Sequence, residues 1–369
     1  MQFTAVVATA LLSAAAAAQP CTPEWDGTLG RPGLDNGYIG PIFVWDDGGG
    51  DDLYVGGSFT SIAGRPFRVL SRLNAATGNW QQVGTGISTG FTNGYATKMI
   101  AYDPGTGEEL IVAGFWAEAV GVPESASLAR WNGSRWDNLG AGWTSTNRSA
   151  VWGMTVWNGV LYVGGGFFDI ANLIGANGIA SWDGETWSSV GSGFDGGFSP
   201  NVFALQVHDD GSGEKLYAGG RFSSIAGIPG MIARWTGSTW EAVGGGVGVG
   251  STFAGIETLV VFNGELYAGG WDLRVGGINY SVAKWNGTQW SGVGQYLGGR
   301  TTSLIVWDDG SGPALYAGGT AQPGINYLAR LEGNQWEIYA GGVGGGAVPP
   351  SNFPSVFGLG TWEGNLVVD

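Results

Sequence analysis

Leu161-Tyr162-Val163-Gly164-Gly165 is the stretch of sequence to which the chain keeps returning. It recurs with small changes at residues 53–57, 110–114, 216–220, 266–270 and 315–319, and it begins again at Leu366. Successive copies start 49 to 57 residues apart. A self-similar period of about fifty residues, built of short apolar runs and glycine turns, indicates stacked supersecondary units.

Each repeat contains four runs that are typical of β-strands. The first run is wholly apolar, as at residues 304–307, which fits a strand buried on both faces. The second run is the leucine-tyrosine-glycine stretch, and a turn such as Asn158-Gly159 joins the two. The third and fourth runs form a further hairpin, with Trp131 and Trp136 on either side of its turn. Four antiparallel strands per repeat describe a propeller blade. We therefore predict an all-β propeller of six complete four-stranded blades plus a partial seventh.

The first repeat resembles the kelch repeat, because its double glycine is followed by Leu73 and Trp80 seven positions apart. In four later repeats the two tryptophans are five apart, as Trp131 and Trp136 are, which shortens that hairpin. The pattern also resembles secreted bacterial propeller-repeat proteins of uncharacterised function and the propeller repeats of fungal cortical polarity markers. The resemblance covers residues 40–369 and implies a kelch-like propeller. Such propellers have many functions, so it implies little about activity.

Composition excludes several classes of protein. The chain holds 72 glycines, but its 19 tryptophans and 13% aromatic residues are unlike a disordered segment. The net charge is −15, with 15 lysines and arginines in no cluster, which excludes nucleic-acid binding and docking on an anionic membrane. No apolar run after residue 18 reaches membrane-spanning length.

The N-terminus predicts export. Residues 1–18 are interpreted as a signal peptide, because an alanine-rich apolar run ends in a small-residue cleavage site. Residues 19–39 form an N-terminal stretch that could supply a ring-closing strand, with 24–30 as its candidate. Residues 40–369 form the propeller, which we expect to be truncated in blade seven, since Asp369 stands where the double glycine is due. We expect a monomer that is secreted or displayed at the cell surface, extracellular or periplasmic.

Motifs that would indicate catalysis or a cofactor are weak. A single histidine, His208, excludes the copper site of propeller oxidases resembling galactose oxidase, and we expect it to be an exposed turn residue. The acidic turns at Asp46, Asp209 and Asp308 could bind Ca²⁺ or could simply be solvated, and no other cofactor is predicted. A recurring cation in the third strand is expected to pair with acidic turn residues or to stack on tryptophan. Its copies are Arg72, Arg130, Arg234, Lys284 and Arg330.

The residues that differ between repeats are the candidates for recognition. They follow the double glycine or lie in the loops that join the second and third strands. Variable loops on a rigid scaffold are common sites of binding. We predict ligand contacts at Trp116, Phe168, Asp169, Arg221, Trp271, Asp272, Arg274 and Tyr280. For each of them, local packing of the loop onto its blade is the alternative interpretation.

Three functions follow from this surface. The first hypothesis is a non-enzymatic binding or surface-interaction module for glycan or protein. The second is a carbohydrate-active enzyme, a lyase or glycoside hydrolase, which would need two carboxylates at catalytic separation; Asp169, Asp195 and Asp272 are the available acids. The third is a passive structural repeat within a larger surface protein.

Overall fold

The computed structural model describes residues 10–12, 37–88, 94–140, 150–170, 173–195, 201–222, 224–249, 254–320, 326–339, 358–362 and 364–368. Every regular element in these ranges is a β-strand. No helix in them is long and apolar enough to span a bilayer.

Six four-stranded antiparallel sheets follow one another along the chain, and each is one blade. Strand β1 (Ala10–Leu12) precedes them. Blade 1 is β2 (Tyr38–Asp46), β3 (Asp51–Ser58), β4 (Leu70–Asn74) and β5 (Asn79–Gln82), followed by β6 (Ile87–Ser88). Blade 2 is β7 (Tyr95–Tyr102), β8 (Glu109–Phe115), β10 (Leu128–Trp131) and β11 (Trp136–Asp137), with β9 (Glu118–Ala119) between β8 and β10. Blade 3 is β12 (Ala150–Trp157), β13 (Val160–Gly166), β14 (Ile179–Trp182) and β15 (Trp187–Ser189), followed by β16 (Phe194–Asp195).

The remaining blades repeat this order. Blade 4 is β17 (Asn201–Asp209), β18 (Glu214–Arg221), β21 (Ile232–Trp235) and β22 (Trp240–Ala242), with β19 (Ser224–Ile225) and β20 (Ile228–Pro229) as a small inserted hairpin. Blade 5 is β24 (Gly255–Phe262), β25 (Glu265–Val275), β26 (Ile278–Trp285) and β27 (Trp290–Gly292), preceded by β23 (Gly248–Val249). Blade 6 is β28 (Arg300–Asp308), β29 (Pro313–Thr320), β30 (Asn326–Glu332) and β31 (Gln335–Ile338).

A seventh sheet lies between blade 6 and blade 1. It consists of β32 (Leu359–Trp362) and β33 (Asn365–Val368), and β1 pairs with the outer side of β33. β32 contacts both β28 and β2, so the first strands of successive sheets form a closed ring around an axis. β1 falls within the predicted signal peptide, and the predicted closing strand at 24–30 lies outside the described residues.

In blade 4 two close approaches require the double glycine of the repeat. The second repeat has Ala113-Gly114 in its place. A Cβ on Gly219 would lie 2.6 Å from the side chain of Ile256 in the next blade. A Cβ on Gly220 would lie 2.1 Å from the carbonyl oxygen of Asn201 in the first strand of its own blade. The first glycine therefore lets adjacent blades pack, and the second admits the first strand where that strand contains a β-bulge.

Two families of loops define the two faces of the disc. Turns that join the first and second strands, and the third and fourth, lie on what we call the turn face. Loops that join the second and third strands, and successive blades, lie on the opposite, loop face. The inserted hairpin β19–β20 belongs to the loop face, and β16 extends it to three strands. The end of the β25–β26 hairpin, joined by β23, is its counterpart in blade 5.

Candidate functional site

A β-bulge interrupts the first strand of each complete blade near the loop face. A bulge turns the inserted residue out of the regular alternation and is frequent beside binding sites. In this protein the bulge takes one residue of each first strand out of that alternation, and these residues lie at the loop-face end of the axis. The inserted residues of blades 2 to 6 are Thr97, Trp152, Phe203, Glu257 and Thr302. We call this end of the ring the axial mouth.

Aromatic rings line one side of the axial mouth. The ring of Trp152 lies 5.8 Å from that of Tyr95 in blade 2 and 5.9 Å from that of Phe203 in blade 4. Phe115 extends the row, with its ring 5.8 Å from that of Tyr95. All four side chains are half-buried. They form one apolar arc across three blades, and burial raises the pKa of the Tyr95 hydroxyl.

An ion pair lies on the opposite side of the axial mouth. Arg300, the first residue of β28, places a guanidinium nitrogen 2.8 Å from a carboxylate oxygen of Glu257 in the neighbouring blade. Thr302 follows on the same strand. The axial mouth therefore has an apolar side in blades 2 to 4 and a polar side in blades 5 and 6.

Lys98 adds a positive charge to this ring. It follows the bulge of β7 and is exposed, although β7 is covered by blades 1 and 3 and by β8. Its side chain nevertheless reaches solvent from the innermost strand of the blade. The narrow surroundings desolvate the ammonium and lower its pKa.

Two of the predicted ligand contacts adjoin the axial mouth. Arg221 ends the second strand of blade 4 opposite Asn201, and Trp271 lies opposite Gly255 in blade 5. A Cβ on Gly255 would lie 3.4 Å from the Cβ of Arg221, so Arg221 and Trp271 lie on either side of that glycine. Both side chains are exposed.

The other blade 5 residues form a hairpin beyond the axial mouth. Asp272 has a positive φ of 55° and its carboxylate lies 4.0 Å from the guanidinium of Arg274. Arg274 donates to the amide oxygen of Asn279 at 2.8 Å, and the ring of Tyr280 covers Gly292. An open cavity of about 480 Å³ beneath the hairpin tip is lined by Arg274 and Trp290 but not by Trp271. Arg274 and Trp271 therefore do not share a pocket.

Blade 3 and blade 2 supply the remaining predicted contacts. Phe168 is 55% exposed, while the carboxylate of Asp169 accepts the backbone N–H of Gly175 at 2.8 Å and so holds its own loop. Trp116 is 1% exposed and donates its indole N–H to the carbonyl of Ser125 at 3.0 Å. Trp116 is part of the core of its blade, so the alternative interpretation of local packing describes it.

The turn face is occupied by internally paired charges. Each recurring cation meets an acidic side chain of its own blade, which confirms the predicted pairing: Arg72 with Asp47, Arg130 with Glu109, Arg234 with Asp210, Lys284 with Glu265 and Arg330 with Asp309. The acidic turns also satisfy themselves. One carboxylate oxygen of Asp209, for example, accepts the N–H groups of Gly211 and Gly213.

Other predictions about the turn face need correction or find no support. His208 is 5% exposed at the end of β17, with its ring 5.6 Å from that of Tyr217, so it is not the exposed turn residue that the sequence suggested. Burial lowers the pKa of its imidazole. The described residues contain no cluster of three histidine, cysteine or acidic side chains that could hold a metal ion, including at the turns considered for Ca²⁺.

The carboxylates near the loop face are held by partners. Glu257 lies against Arg300, Asp272 against Arg274, and Asp169 against its own backbone. The side chain of Asp195, the third acid of the enzyme hypothesis, lies outside the described residues.

Sequence reasoning missed most of the axial mouth. Tyr95, Lys98, Trp152, Phe203 and Glu257 lie in first strands, which the apolar pattern presented as uniformly buried. A signal was available: when the repeats are aligned on their first strands, these positions vary in charge and size from one repeat to the next.

No protein-family model matches the chain, and no curated protein sequence matches it. Among solved structures, the computationally designed Ika8 protein aligns with 91% of this chain and 94% of its own, at 13% identity and a TM-score of 0.47. The extracellular domain of a one-component system from B. thetaiotaomicron aligns with 84% of this chain, at 12% identity and a TM-score of 0.34, and the chain spans 36% of that domain. The Aleuria aurantia lectin in complex with Fucα1-6GlcNAc aligns with 87% of this chain and 98% of its own, at 14% identity and a TM-score of 0.40.

Proposed function

We propose that this protein is a non-enzymatic binding module and that its ligand, a glycan, docks at the axial mouth on the loop face. One observation carries the choice of the loop face: among the described residues, the exposed large apolar side chains belong to loop-face loops or to a strand end that leads to them. They are Val120, Phe168, Ile174, Trp271, Ile278, Tyr296 and Ile338. The turn face, by contrast, carries charges that are already paired with each other.

The shape of the axial mouth supports a glycan more than a protein partner. The half-buried rings of Tyr95, Trp152 and Phe203 offer an apolar platform, and the Glu257–Arg300 pair offers hydrogen-bonding groups opposite. A sugar ring has both an apolar face and a rim of hydroxyls, which matches an apolar pocket with a few fixed polar groups. A protein partner would need a broader continuous surface.

The same proposal extends to the repeat type and the location. We assign the blades to the kelch-like class on the double glycine and the spacing of Leu73 and Trp80. Residues 1–18 are assigned as an export signal on their alanine-rich apolar run. Display outside the cytoplasm would bring the loop face to extracellular glycans.

A glycan array followed by calorimetry tests the binding proposal. Wild-type protein is expected to retain a subset of glycans, and Trp152→Ala and Phe203→Ala are each expected to weaken that binding by about tenfold or more. Ile338→Ala removes an exposed apolar side chain away from the axial mouth and is expected to bind as the wild type does. Thermal unfolding of each variant checks that the fold is intact.

Two results would overturn this assignment. Wild-type protein that binds no glycan on the array would remove the glycan ligand and leave a protein partner or a passive structural role. Binding that Ile338→Ala weakens as much as Trp152→Ala would move the site away from the axial mouth.

A further inference from the structure

Lys98 breaks the symmetry of the propeller at a position that is otherwise uncharged. Its equivalents, which follow the bulge in the other complete blades, are Pro41, Gly153, Ala204, Thr258 and Ser303. None of them carries a charge or a long side chain. An exposed lysine at this position in one blade alone is not required by blade packing.

The Lys98 ammonium has no acidic partner within the described part of the chain. The arginine or lysine of the third strand in blades 1, 2, 4, 5 and 6 contacts a carboxylate, and Arg300 contacts Glu257. Among the described residues no hydrogen bond or ion pair involves Lys98, although the protein has twice as many acidic as basic side chains. Leaving a partly desolvated charge unpaired is unfavourable, and its lowered pKa reflects that.

A second unpaired cation lies at the same end of the axis. Arg221 is exposed beside Gly255, and no described carboxylate lies within ion-pair distance of it. In the repeat, the same position is occupied by Ser58, Phe115, Gly166, Trp271 and Thr320, so this cation too is specific to one blade. The aromatic arc of Tyr95, Trp152 and Phe203 belongs to the blades that carry and separate these two cations.

We propose that the axial mouth selects sugars that carry an oxyanion, with Lys98 and Arg221 binding the anionic group while the aromatic arc supports the sugar ring. This inference rests on the proposed glycan-binding function and narrows its ligand class. Lysine binds an oxyanion as a point charge, and arginine offers a planar fork of donors. The anion that completes the site would neutralise charges which the chain itself leaves unpaired.

Matched ligands with and without a charged group test this selectivity. Calorimetry would compare trigalacturonate with its methyl ester, and lactose 6′-sulfate with lactose, using the full chain at constant ionic strength. We expect each anionic ligand that fits to bind about tenfold or more tightly than its neutral counterpart. Preference for one pair alone identifies carboxylate or sulfate as the recognised group.

Variants separate charge selection from glycan binding as such. Lys98→Met and Arg221→Gln are each expected to weaken the anionic ligand about tenfold while changing the neutral ligand less than twofold. Lys215→Gln removes one charge from the turn face and is expected to leave both affinities unchanged. Trp152→Ala is expected to weaken charged and neutral ligands alike.

Failure of this inference is distinguishable from failure of the proposed function. Equal affinity for the charged and neutral members of both pairs, lost in Trp152→Ala, would overturn anion selection and retain glycan binding. No binding of any of the four sugars, with a blank glycan array, would overturn both. A loss of anionic preference in Lys215→Gln would show that the whole protein field, rather than the axial mouth, provides it.

Discussion

The indole N–H of Trp136, in the fourth strand of blade 2, donates to the carbonyl oxygen of Val83 in the connection from blade 1, at 3.0 Å. The same bond joins later blades: Trp187 to Leu139, Trp240 to Val190, Trp290 to Val243 and Trp336 to Val293. Each outer tryptophan is thus tied to the preceding blade as well as packed against it. The recurrent tryptophan and the valine or leucine before glycine are two halves of one inter-blade contact.

Replacing a tryptophan that makes this hydrogen bond should lower the free energy of unfolding more than replacing a buried tryptophan that makes none. Trp136→Phe leaves the Val83 carbonyl without its donor, whereas the Trp131 indole N–H, also buried, has no acceptor in the described residues. Both side chains are 4% exposed and their rings are 5.3 Å apart. In urea unfolding, we expect the free energy of unfolding of Trp136→Phe to be about 1 kcal/mol or more below that of Trp131→Phe. Equal losses would mean that the bond contributes nothing net.

The glycine that follows the accepting valine or leucine in each connection between blades should tolerate no side chain, as Gly244 after Val243 shows. Gly244 has a φ of 59°, and a Cβ there would lie 2.6 Å from the ring of Trp285 in the next blade. The adjacent Gly245 has no atom within 4 Å of such a Cβ and no positive φ. We expect Gly244→Ala to lower the free energy of unfolding by about 2–4 kcal/mol, from overpacking and left-handed backbone together. Gly245→Ala serves as the matched control and should change it by less than about 0.5 kcal/mol.

The Asp210–Arg234 pair on the turn face should contribute stability that acid removes. Burial alone would raise the pKa of Asp210, but hydrogen bonds from the Ser212 and Tyr217 hydroxyls and the charge of Arg234 hold it well below its usual range. A depressed carboxyl pKa stabilises the fold above the unfolded value near 3.9, and this stabilisation is lost as pH falls through the folded value.

Asp210→Asn should therefore reduce the free energy of unfolding by about 2 kcal/mol at pH 7, because it leaves Arg234 without its buried partner. The difference from wild type should shrink at pH 3. Glu185→Gln, at an exposed turn, is the control and should show little effect at either pH. A wild-type-like Asp210→Asn at pH 7 would contradict the assigned role of the pair.

The sequence predicted the parts of this fold that depend on local pattern. The double glycine, the hairpin turns and the cation that pairs with its own blade recur with the period, so one repeat explains the others. The axial mouth depends on a bulge, which inserts one residue and changes where the next side chains point. Trp152 and Phe203 therefore read as buried strand residues in the sequence. Trp116, in contrast, lies in a loop and therefore reads as a candidate for recognition in the sequence, but the loop packs this side chain inside its own blade.

Lys98 should lower the stability of the fold that carries it. Its pKa is lowered from 10.5 because the surrounding strands partly desolvate the ammonium, so the folded state holds this proton less tightly than the unfolded chain. The desolvation cost is present below the folded pKa and fades as pH rises through the folded pKa toward 10.5. Lys98→Met should therefore unfold at a higher urea concentration than wild type at pH 7, with a gain that shrinks at pH 10.5. Lys215→Met, on the turn face, should show no such gain. If Lys98→Met were less stable than wild type, the lysine would be structural. If the variant were more stable but bound anionic sugars poorly, the propeller would be keeping an unfavourable charge for the sake of its ligand.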